Sequence, residues 1–223
     1  MILLEAKDIN KSYKVGNKEI KVLNHVNFLL NEGERVAIIG PSGSGKSTLL
    51  NIMSGLTKAD SGTIIFKENN LSEMNDNQIA KLRLQSFGFI FQSFHLVQTL
   101  NVLDNIILPI LAKKDTIDMN NIYSICDFLG IKNRLEHFPN QLSGGEMQRV
   151  AIARAIASKP IVIFSDEATG NLDEKNSIQV MEMLCDICKK SNISLVFVTH
   201  DISLTKYADK IKKFDSELGL IDA

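Results

Sequence analysis

The chain has 223 residues, of which 44% are hydrophobic and 23% are charged, a composition that suits one globular α/β unit with a sizeable core. Its 25 basic and 26 acidic side chains leave a net charge of −1, and the absence of a basic block argues against a nucleic-acid-binding surface. No apolar run approaches the length of a membrane span, and the N-terminus does not resemble a signal peptide, so we expect a cytoplasmic protein that reaches a membrane only through a partner.

Apolar patterns along the chain predict alternating strands and helices. Strands are expected at residues 2–9 and 18–30, joined by a turn at 14–17. Further short apolar runs, typical of strands covered on both faces, lie at residues 35–39, 63–66, 87–91, 161–165, 195–199 and 211–214. Between about residues 94 and 157 the pattern becomes helical, including 121–129 with Gly130 as a cap. We predict a single domain over residues 1–223, with a helical subdomain at approximately 94–157.

A glycine-rich loop follows the strand at 35–39. It matches G-x-x-x-x-G-K-[ST] and precedes a helix-like run at 47–53: Gly40, Pro41, Ser42, Gly43, Ser44, Gly45, Lys46, Ser47 and Thr48. Glycines let successive N–H groups wrap a phosphate, Lys46 can reach the β- and γ-phosphates, and the Ser47 hydroxyl can ligate Mg²⁺. A chance Gly/Ser-rich turn is the alternative, which the flanking strand and helix disfavour. The loop predicts a nucleoside triphosphate site.

Two further motifs point to the same chemistry. The strand at 161–165 ends in Asp166 and Glu167, which could hold Mg²⁺ and polarise an attacking water, or could merely cap the next helix. Leu142-Ser143-Gly144-Gly145-Glu146 fits a helix capping box, but its two glycines also expose N–H groups at a helix start, a second anion site. One nucleotide seldom needs two such helix starts, so the second is expected to contact the nucleotide of another copy.

The cysteines are Cys126, Cys185 and Cys188, and the last two form a C-x-x-C pair. No second Cys or His pair accompanies it, and it lies in a predicted helix at 177–190 with its sulfurs on the apolar face. Buried reduced thiols are therefore favoured over a redox or zinc site. The scattered His25, His95 and His137 are interpreted as ordinary surface or core residues.

With these motifs in order, the chain resembles an ATP-binding cassette (ABC) transporter nucleotide-binding domain, whose signature LSGGQ corresponds to Leu142–Glu146. The resemblance implies a P-loop NTPase fold of the ABC ATPase type, with a RecA-like core, an N-terminal antiparallel β-subdomain and an inserted α-helical subdomain. It matches Tyr13 to the adenine-stacking aromatic, Gln92 to the Q-loop glutamine, Asn171-Leu172-Asp173 to the D-loop and His200 to the switch histidine. Tyr13 could instead be a strand-end aromatic, Gln92 a surface residue and His200 a neighbour of a helix cap at Asp201.

The resemblance also assigns roles. The catalytic residues would be Glu167, His200 and Gln92, and the metal ligands Ser47, Gln92 and Asp166. The nucleotide-binding set would be Tyr13, the loop Gly40 to Thr48, Ser143, Gly144, Gly145, Glu146 and Asp173. The cofactors would be ATP and Mg²⁺, held in a head-to-tail homodimer in which each ATP lies between the phosphate loop of one subunit and Ser143-Gly144-Gly145 of the other. A groove at about residues 92–109 would receive a transmembrane permease subunit, which would hold the protein on the inner face of the cell membrane.

Within the family, residues 87–96, 101–109 and 170–173 resemble the MacB/LolD-type ATPases, which serve macrolide or peptide export, lipoprotein release and antimicrobial-peptide resistance. These proteins usually carry Asp-Glu-Pro-Thr-Gly, whereas this chain has Ala168 in place of the proline, which we expect to loosen the turn but not to abolish catalysis. The alternatives are an ATPase of an amino-acid or similar solute importer, an FtsE-like cell-division ATPase, a DNA-repair or translation ATPase of the same fold, and a scaffold that binds ATP without hydrolysing it.

Overall fold

The computed structural model describes residues 1–16, 18–215 and 219–222. Within these ranges the strands are β1 (Ile2–Val15), β2 (Lys18–Asn31), β3 (Arg35–Ile39), β4 (Ser61–Phe66), β5 (Asn69–Asn70), β6 (Phe87–Phe91), β7 (Val162–Asp166), β8 (Ser194–Thr199), β9 (Lys210–Asp215) and β10 (Gly219–Asp222). The helices are α1 (Lys46–Met53), α2 (Asp76–Ser86), α3 (Val102–Lys113), α4 (Met119–Phe128), α5 (Gly144–Ala157) and α6 (Glu174–Lys190). Every one of these helices is too short or too polar to cross a membrane.

The strands form two sheets. The first is antiparallel, with the order β2-β1-β4-β5, and the second has the order β10-β9-β3-β8-β7-β6. In the second sheet β9, β3, β8, β7 and β6 are mutually parallel, and only β10 runs antiparallel to its neighbour. The carboxyl ends of β3, β6, β7 and β8 therefore meet at one edge. The predicted site residues Gly40–Thr48, Gln92, Asp166, Glu167 and His200 lie at or after the ends of these four strands.

The second sheet separates two hydrophobic cores. On β3, Ala37 packs towards α3–α6, whereas Val36 and Ile38 pack towards the antiparallel sheet and α1. Strands β7 and β8 alternate in the same way, because successive side chains of a strand point to opposite faces. Burial on both faces explains why these strands are continuous apolar runs in the sequence.

Most predicted elements are present, and the differences have physical reasons. Strand β1 extends beyond residue 9 to Val15, because its polar second half is held by backbone pairing with β2 and not by apolar alternation. Of the predicted turn at 14–17, Lys14 and Val15 belong to β1 and Gly16 is a turn residue. Asn17 lies outside the described residues. Helix α2 was not expected: it buries only Ile79 and Ser86, so it has no apolar stripe to detect, although Asn75 and Gln78 form a capping box.

The three cysteines are buried free thiols, as predicted. Burial raises the pKa of the Cys126 thiol to about 11 and that of Cys185 to about 12, and it raises the pKa of Cys188 as well. The thiolate is the reactive form of cysteine, so these side chains act as small apolar groups in the core beneath α4 and α6.

Phe164 of β7 offers a test of this packing. Its ring is fully buried and lies 5.3 Å from the Phe87 ring and 6.0 Å from the Phe89 ring, centroid to centroid. We expect Phe164→Ala to lower the free energy of unfolding by about 3–5 kcal/mol, because it leaves a cavity between the two sheets. Urea denaturation measures this change. The control Tyr123→Ala, at an exposed position of α4, should change it by less than about 0.5 kcal/mol.

Candidate nucleotide-binding site

The phosphate loop joins β3 to α1 and leaves the start of α1 open. Gly45, the residue before the helix, has φ 101° and forms no side-chain cap, and the first turn of α1 has no acidic residue. A Cβ at Gly45 would lie 2.9 Å from the Val22 carbonyl oxygen of β2, so only glycine fits between the loop and that strand. The Ser44 hydroxyl is buried in the loop without a hydrogen-bond partner. An uncapped helix start beside an unpaired hydroxyl fits a phosphate group.

Lys46 supplies the positive charge of this loop. Its side chain is buried, and Nζ donates to the carbonyl oxygens of Gly40 at 2.9 Å and Pro41 at 2.7 Å. These carbonyls belong to the same loop, so the ammonium group lies within the phosphate loop. Within the described residues Lys46 has no carboxylate partner, so phosphate oxygens could replace the carbonyls without breaking an ion pair.

Ser47 and Asp166 are 119 residues apart in the sequence and meet in the structure. The Ser47 hydroxyl donates to Asp166 Oδ1 at 2.8 Å, which joins the start of α1 to the end of β7. Burial raises the pKa of the Asp166 carboxyl and so does the charge of Glu167, while the Ser47 hydrogen bond and Lys46 act in the opposite direction. A hydroxyl and a carboxylate are hard oxygen ligands, the kind that Mg²⁺ prefers. The pair therefore fits a magnesium ion beside the phosphates.

Glu167 and His200 line the same small cavity of about 130 Å³. Glu167 follows β7 and has a left-handed backbone, with φ 46°, while His200 follows the neighbouring strand β8. His200 Nδ1 lies 3.6 Å from Glu167 Oε1, which is longer than a hydrogen bond. A left-handed backbone is unfavourable for a residue other than glycine, and such residues often occur at functional positions.

Gln92 follows β6 and contacts the loop before α6. Its Nε2 donates to Asn171 Oδ1 at 3.3 Å, and Asn171 Nδ2 donates to the Gln92 carbonyl oxygen at 2.9 Å. A Cβ at Gly170 would lie 2.8 Å from Gln92 Nε2, so this glycine permits the contact. The structure thus brings the predicted Q-loop and D-loop residues together.

The Ser143–Glu146 segment lies at the start of α5, beside the start of α6. Ser143 caps α5, and Asp173 caps α6 by accepting a hydrogen bond from the Asn176 amide. This hydrogen bond is the main reason that the pKa of Asp173 is lowered. Positions for a Cβ at Gly144 and Gly145 lie 3.8 Å from Leu172 and 3.6 Å from Asn176. In the described part of the chain, no hydrogen bond or ion pair joins Ser143–Glu146 to the phosphate loop. The start of α5, which the sequence predicts to bind a second anion, is therefore separate from the phosphate loop.

Tyr13 stands at the outer end of the β1–β2 hairpin. It pairs with Ile20, and the nearby Val22 of β2 contacts the phosphate loop at Gly45. Its side chain is 42% exposed, and Lys11 Nζ lies 5.5 Å from the ring centroid. The hairpin thus presents an accessible aromatic ring on the strand pair that borders the loop.

Arg154 was missed by the sequence analysis. From α5 its guanidinium donates to the carbonyl oxygens of His95 at 2.6 Å and Phe94 at 2.7 Å. Both acceptors have left-handed backbones, with φ 47° for His95 and 58° for Phe94. Arg154 therefore holds the segment after Gln92 in an unfavourable conformation. In the sequence, Arg154 could have been recognised as the single arginine within the otherwise apolar run 150–157.

The chain is similar to known proteins along most of its length. A family model described as ABC transporter matches residues 23–170. The lipoprotein-releasing system ATP-binding protein LolD of Legionella pneumophila is 42% identical over 214 residues, which cover 94% of this chain and 93% of that protein. The macrolide export ATP-binding/permease protein MacB of Chlorobaculum tepidum is 39% identical over 94% of this chain, but the match covers only 32% of MacB.

A solved structure has the same fold. It is a dimeric post-hydrolysis state of the ATP-binding cassette MJ0796 bound to ADP and Pi, with a TM-score of 0.88 and 34% sequence identity. The match covers 99% of this chain and 98% of that one.

Arg154→Met tests the contact between α5 and the segment after Gln92. Losing both charge-assisted hydrogen bonds leaves two carbonyls of strained residues without donors, so we expect the free energy of unfolding to fall by about 2 kcal/mol. Hydrogen exchange of the 93–96 amides should accelerate more than that of β3. Lys81→Met, which removes an exposed cation from α2, is the control. Unchanged exchange at 93–96 in Arg154→Met would show that the arginine does not hold this segment.

Proposed function

This chain belongs to the ABC transporter family and is the ATP-hydrolysing subunit of a membrane transporter, and we propose how its residues perform that work. The observation that carries the proposal is the shared edge of the parallel sheet. Strands β3, β7 and β8 there bring Lys46, Ser47, Asp166, Glu167 and His200 to one place.

We assign binding to the phosphate loop and its neighbours. The loop amides from Gly40 to Thr48 and the Lys46 ammonium would hold the β- and γ-phosphates, and Tyr13 would stack on the adenine. Ser47 and Asp166 would hold Mg²⁺, with Gln92 completing the set from β6. A bound Mg²⁺ would neutralise charge on the phosphates.

Hydrolysis needs a base for the attacking water and a donor for the γ-phosphate. Glu167 would accept the proton from that water; in support, it follows Asp166 directly at the end of β7. His200, which lines the same cavity, would hydrogen-bond the γ-phosphate oxygen and keep it in line. Because His200 Nδ1 and Glu167 Oε1 are 3.6 Å apart and not hydrogen-bonded, Glu167 would be free to bind the water and His200 the γ-phosphate.

The second anion site supports a two-subunit arrangement. Ser143, Gly144 and Gly145 of one subunit would contact the γ-phosphate held by the phosphate loop of the other, with Asp173 at the same face. Two ATP molecules would then join a head-to-tail homodimer, and hydrolysis would release it. The solved relative MJ0796 is a dimer bound to ADP and Pi, which agrees with this arrangement.

A groove of about 440 Å³ lies between α2, β6, α3 and α5, next to the segment after Gln92. Its lining is mainly apolar and includes Ala80, Leu84, Phe89, Phe91 and Pro109. We propose that a helix of the permease docks here, since movement there would reach Gln92 through the segment that Arg154 holds. This docking would place the chain at the inner face of the membrane.

Among transporter types, the LolD and MacB relatives favour a LolD/MacB-type transporter over an importer or a cell-division ATPase. We propose that the permease, and not this chain, binds the transported molecule, in lipoprotein release or in macrolide or peptide export. The helical subdomain at about 94–157 would transmit the motion, because it contributes Pro109 and Arg154 to the groove and contains α5. Ala168 is buried beside the catalytic turn and leaves both carboxylates in place.

Glu167→Gln tests the catalytic assignment. The amide keeps the size of the side chain but cannot accept the water proton, so we expect turnover to fall by about 10²–10⁴-fold while ATP still binds. ATP should now shift the protein from monomer to dimer. Phosphate release and analytical ultracentrifugation measure the two effects. Glu182→Gln, on the exposed side of α6, should retain the parent rate, and near-parent turnover in Glu167→Gln would eliminate Glu167 as the base.

Ala80→Trp tests the docking groove. Ala80 is exposed on α2, so a large ring there should fill the groove without disturbing the core. We expect the tagged parent chain to co-purify from its own solubilised membranes with a permease that bears a large extracytoplasmic domain, and Ala80→Trp to lose it while hydrolysing ATP normally. Recovery of a six-helix permease with a binding protein would contradict the LolD/MacB-type assignment.

A further inference from the structure

We propose that Arg134 is a positioning residue of the shared nucleotide site: it neutralises Glu146, so that the start of α5 can accept the phosphates held by a second subunit. The inference rests on the two-subunit site proposed above. It concerns a residue outside the phosphate loop, the strand ends and the signature segment.

Three hydrogen bonds hold the Glu146 carboxylate. Oε2 accepts from the Ser143 amide at 2.9 Å and from the Ser143 hydroxyl at 2.8 Å, and Oε1 accepts from Arg134 Nε at 2.7 Å. The Glu146 side chain is only 18% exposed, so the Arg134 contact is partly shielded from water. Ser143 and Arg134 thus bind opposite oxygens of one carboxylate.

This carboxylate creates an electrostatic problem for the proposed site. The start of α5 attracts anions through its free amides, but Glu146 places a negative charge in the first turn of the same helix. An arriving triphosphate would be repelled by that charge. Protonation does not remove it, because the hydrogen bonds from Arg134 and then Ser143 hold the pKa of Glu146 at about 2. A fixed cation is the remaining way to cancel the charge at neutral pH, and Arg134 supplies it.

Arg134 is held in place by the surrounding backbone. It lies in a short 3₁₀ turn, Lys132–Arg134, directly after the buried Ile131. The residues that follow are tied to the start of α3, since Leu103 donates its amide to the Leu135 carbonyl at 3.0 Å and Val102 donates to the His137 carbonyl at 2.9 Å. The neighbouring cation Lys132 points to Asp127, at 3.6 Å. Arg134 is therefore the cation of this turn that pairs with Glu146.

The arrangement also defines what Ser143 can do. Its hydroxyl has one proton, which it now donates to Glu146. When a phosphate of the second subunit arrives, that proton can turn to the phosphate, while Glu146 keeps its bonds to Arg134 and the Ser143 amide. Without Arg134, the same movement would leave a carboxylate facing a phosphate.

The experiment uses the Glu167→Gln background and measures the ATP concentration at which half of the protein is dimeric, by analytical ultracentrifugation. Adding Arg134→Ala should raise this concentration by about tenfold, the size expected for one uncompensated charge near a protein surface. Adding Glu146→Gln to Arg134→Ala should restore it to within about twofold of the background, because the repelling charge is gone. Lys132→Ala removes a cation from the same turn and should leave it unchanged.

Several results would overturn the inference. One is an unchanged ATP requirement in Arg134→Ala. Another is a raised requirement that Glu146→Gln does not restore, since Arg134 would then act only in folding. Arg134→Gln repeats the comparison with a neutral side chain of closer size, and thermal denaturation of each monomer reports its folding. If Glu167→Gln itself does not dimerise with ATP, the two-subunit site fails, and the inference fails with it.

Discussion

The parallel register of β3, β8 and β7 is the constraint on which the site depends. Ile39 pairs with Thr199 and Asp166 with Val198, so three loops leave the sheet at one edge. Each loop is short and starts from a strand buried on both faces, so its first side chain has little freedom to move. Lys46, Asp166 and His200 owe their proximity to this register and not to direct bonds among them. The hydrogen bond from Ser47 to Asp166 is a consequence of the same alignment.

Two segments of the site contain residues with left-handed backbones. Glu167, Phe94 and His95 all have left-handed backbones, which cost free energy in residues other than glycine. For Phe94 and His95 the compensation is visible, because Arg154 binds both carbonyl oxygens from α5. Helix α5 starts at Ser143 and holds this segment near its other end through Arg154. Under the proposed function, movement at the start of α5 would shift the docking groove.

Each of the two predicted anion sites has a cation beside it. Lys46 lies among carbonyl oxygens in the phosphate loop, and Arg134 pairs with the carboxylate at the start of α5. Under the proposed function, Lys46 would attract an incoming phosphate and Arg134 would remove the repulsion of Glu146. The net charge of −1 conceals this arrangement, since opposite charges elsewhere cancel.

The phosphate loop, the strand-end carboxylates and the start of α5 were predictable from the sequence, because each is a local pattern: glycines, a strand end or a capping box within a few residues. The family resemblance added roles for Tyr13, Gln92 and His200, which remain predictions. The polar helix α2 and the contacts of Arg154 and Arg134 were decided only by tertiary structure. Arg154 meets its acceptors 59 and 60 residues away, and Ser47 meets Asp166 across 119 residues. Such pairings arise from how the sheet and helices pack, and residue type alone does not encode them.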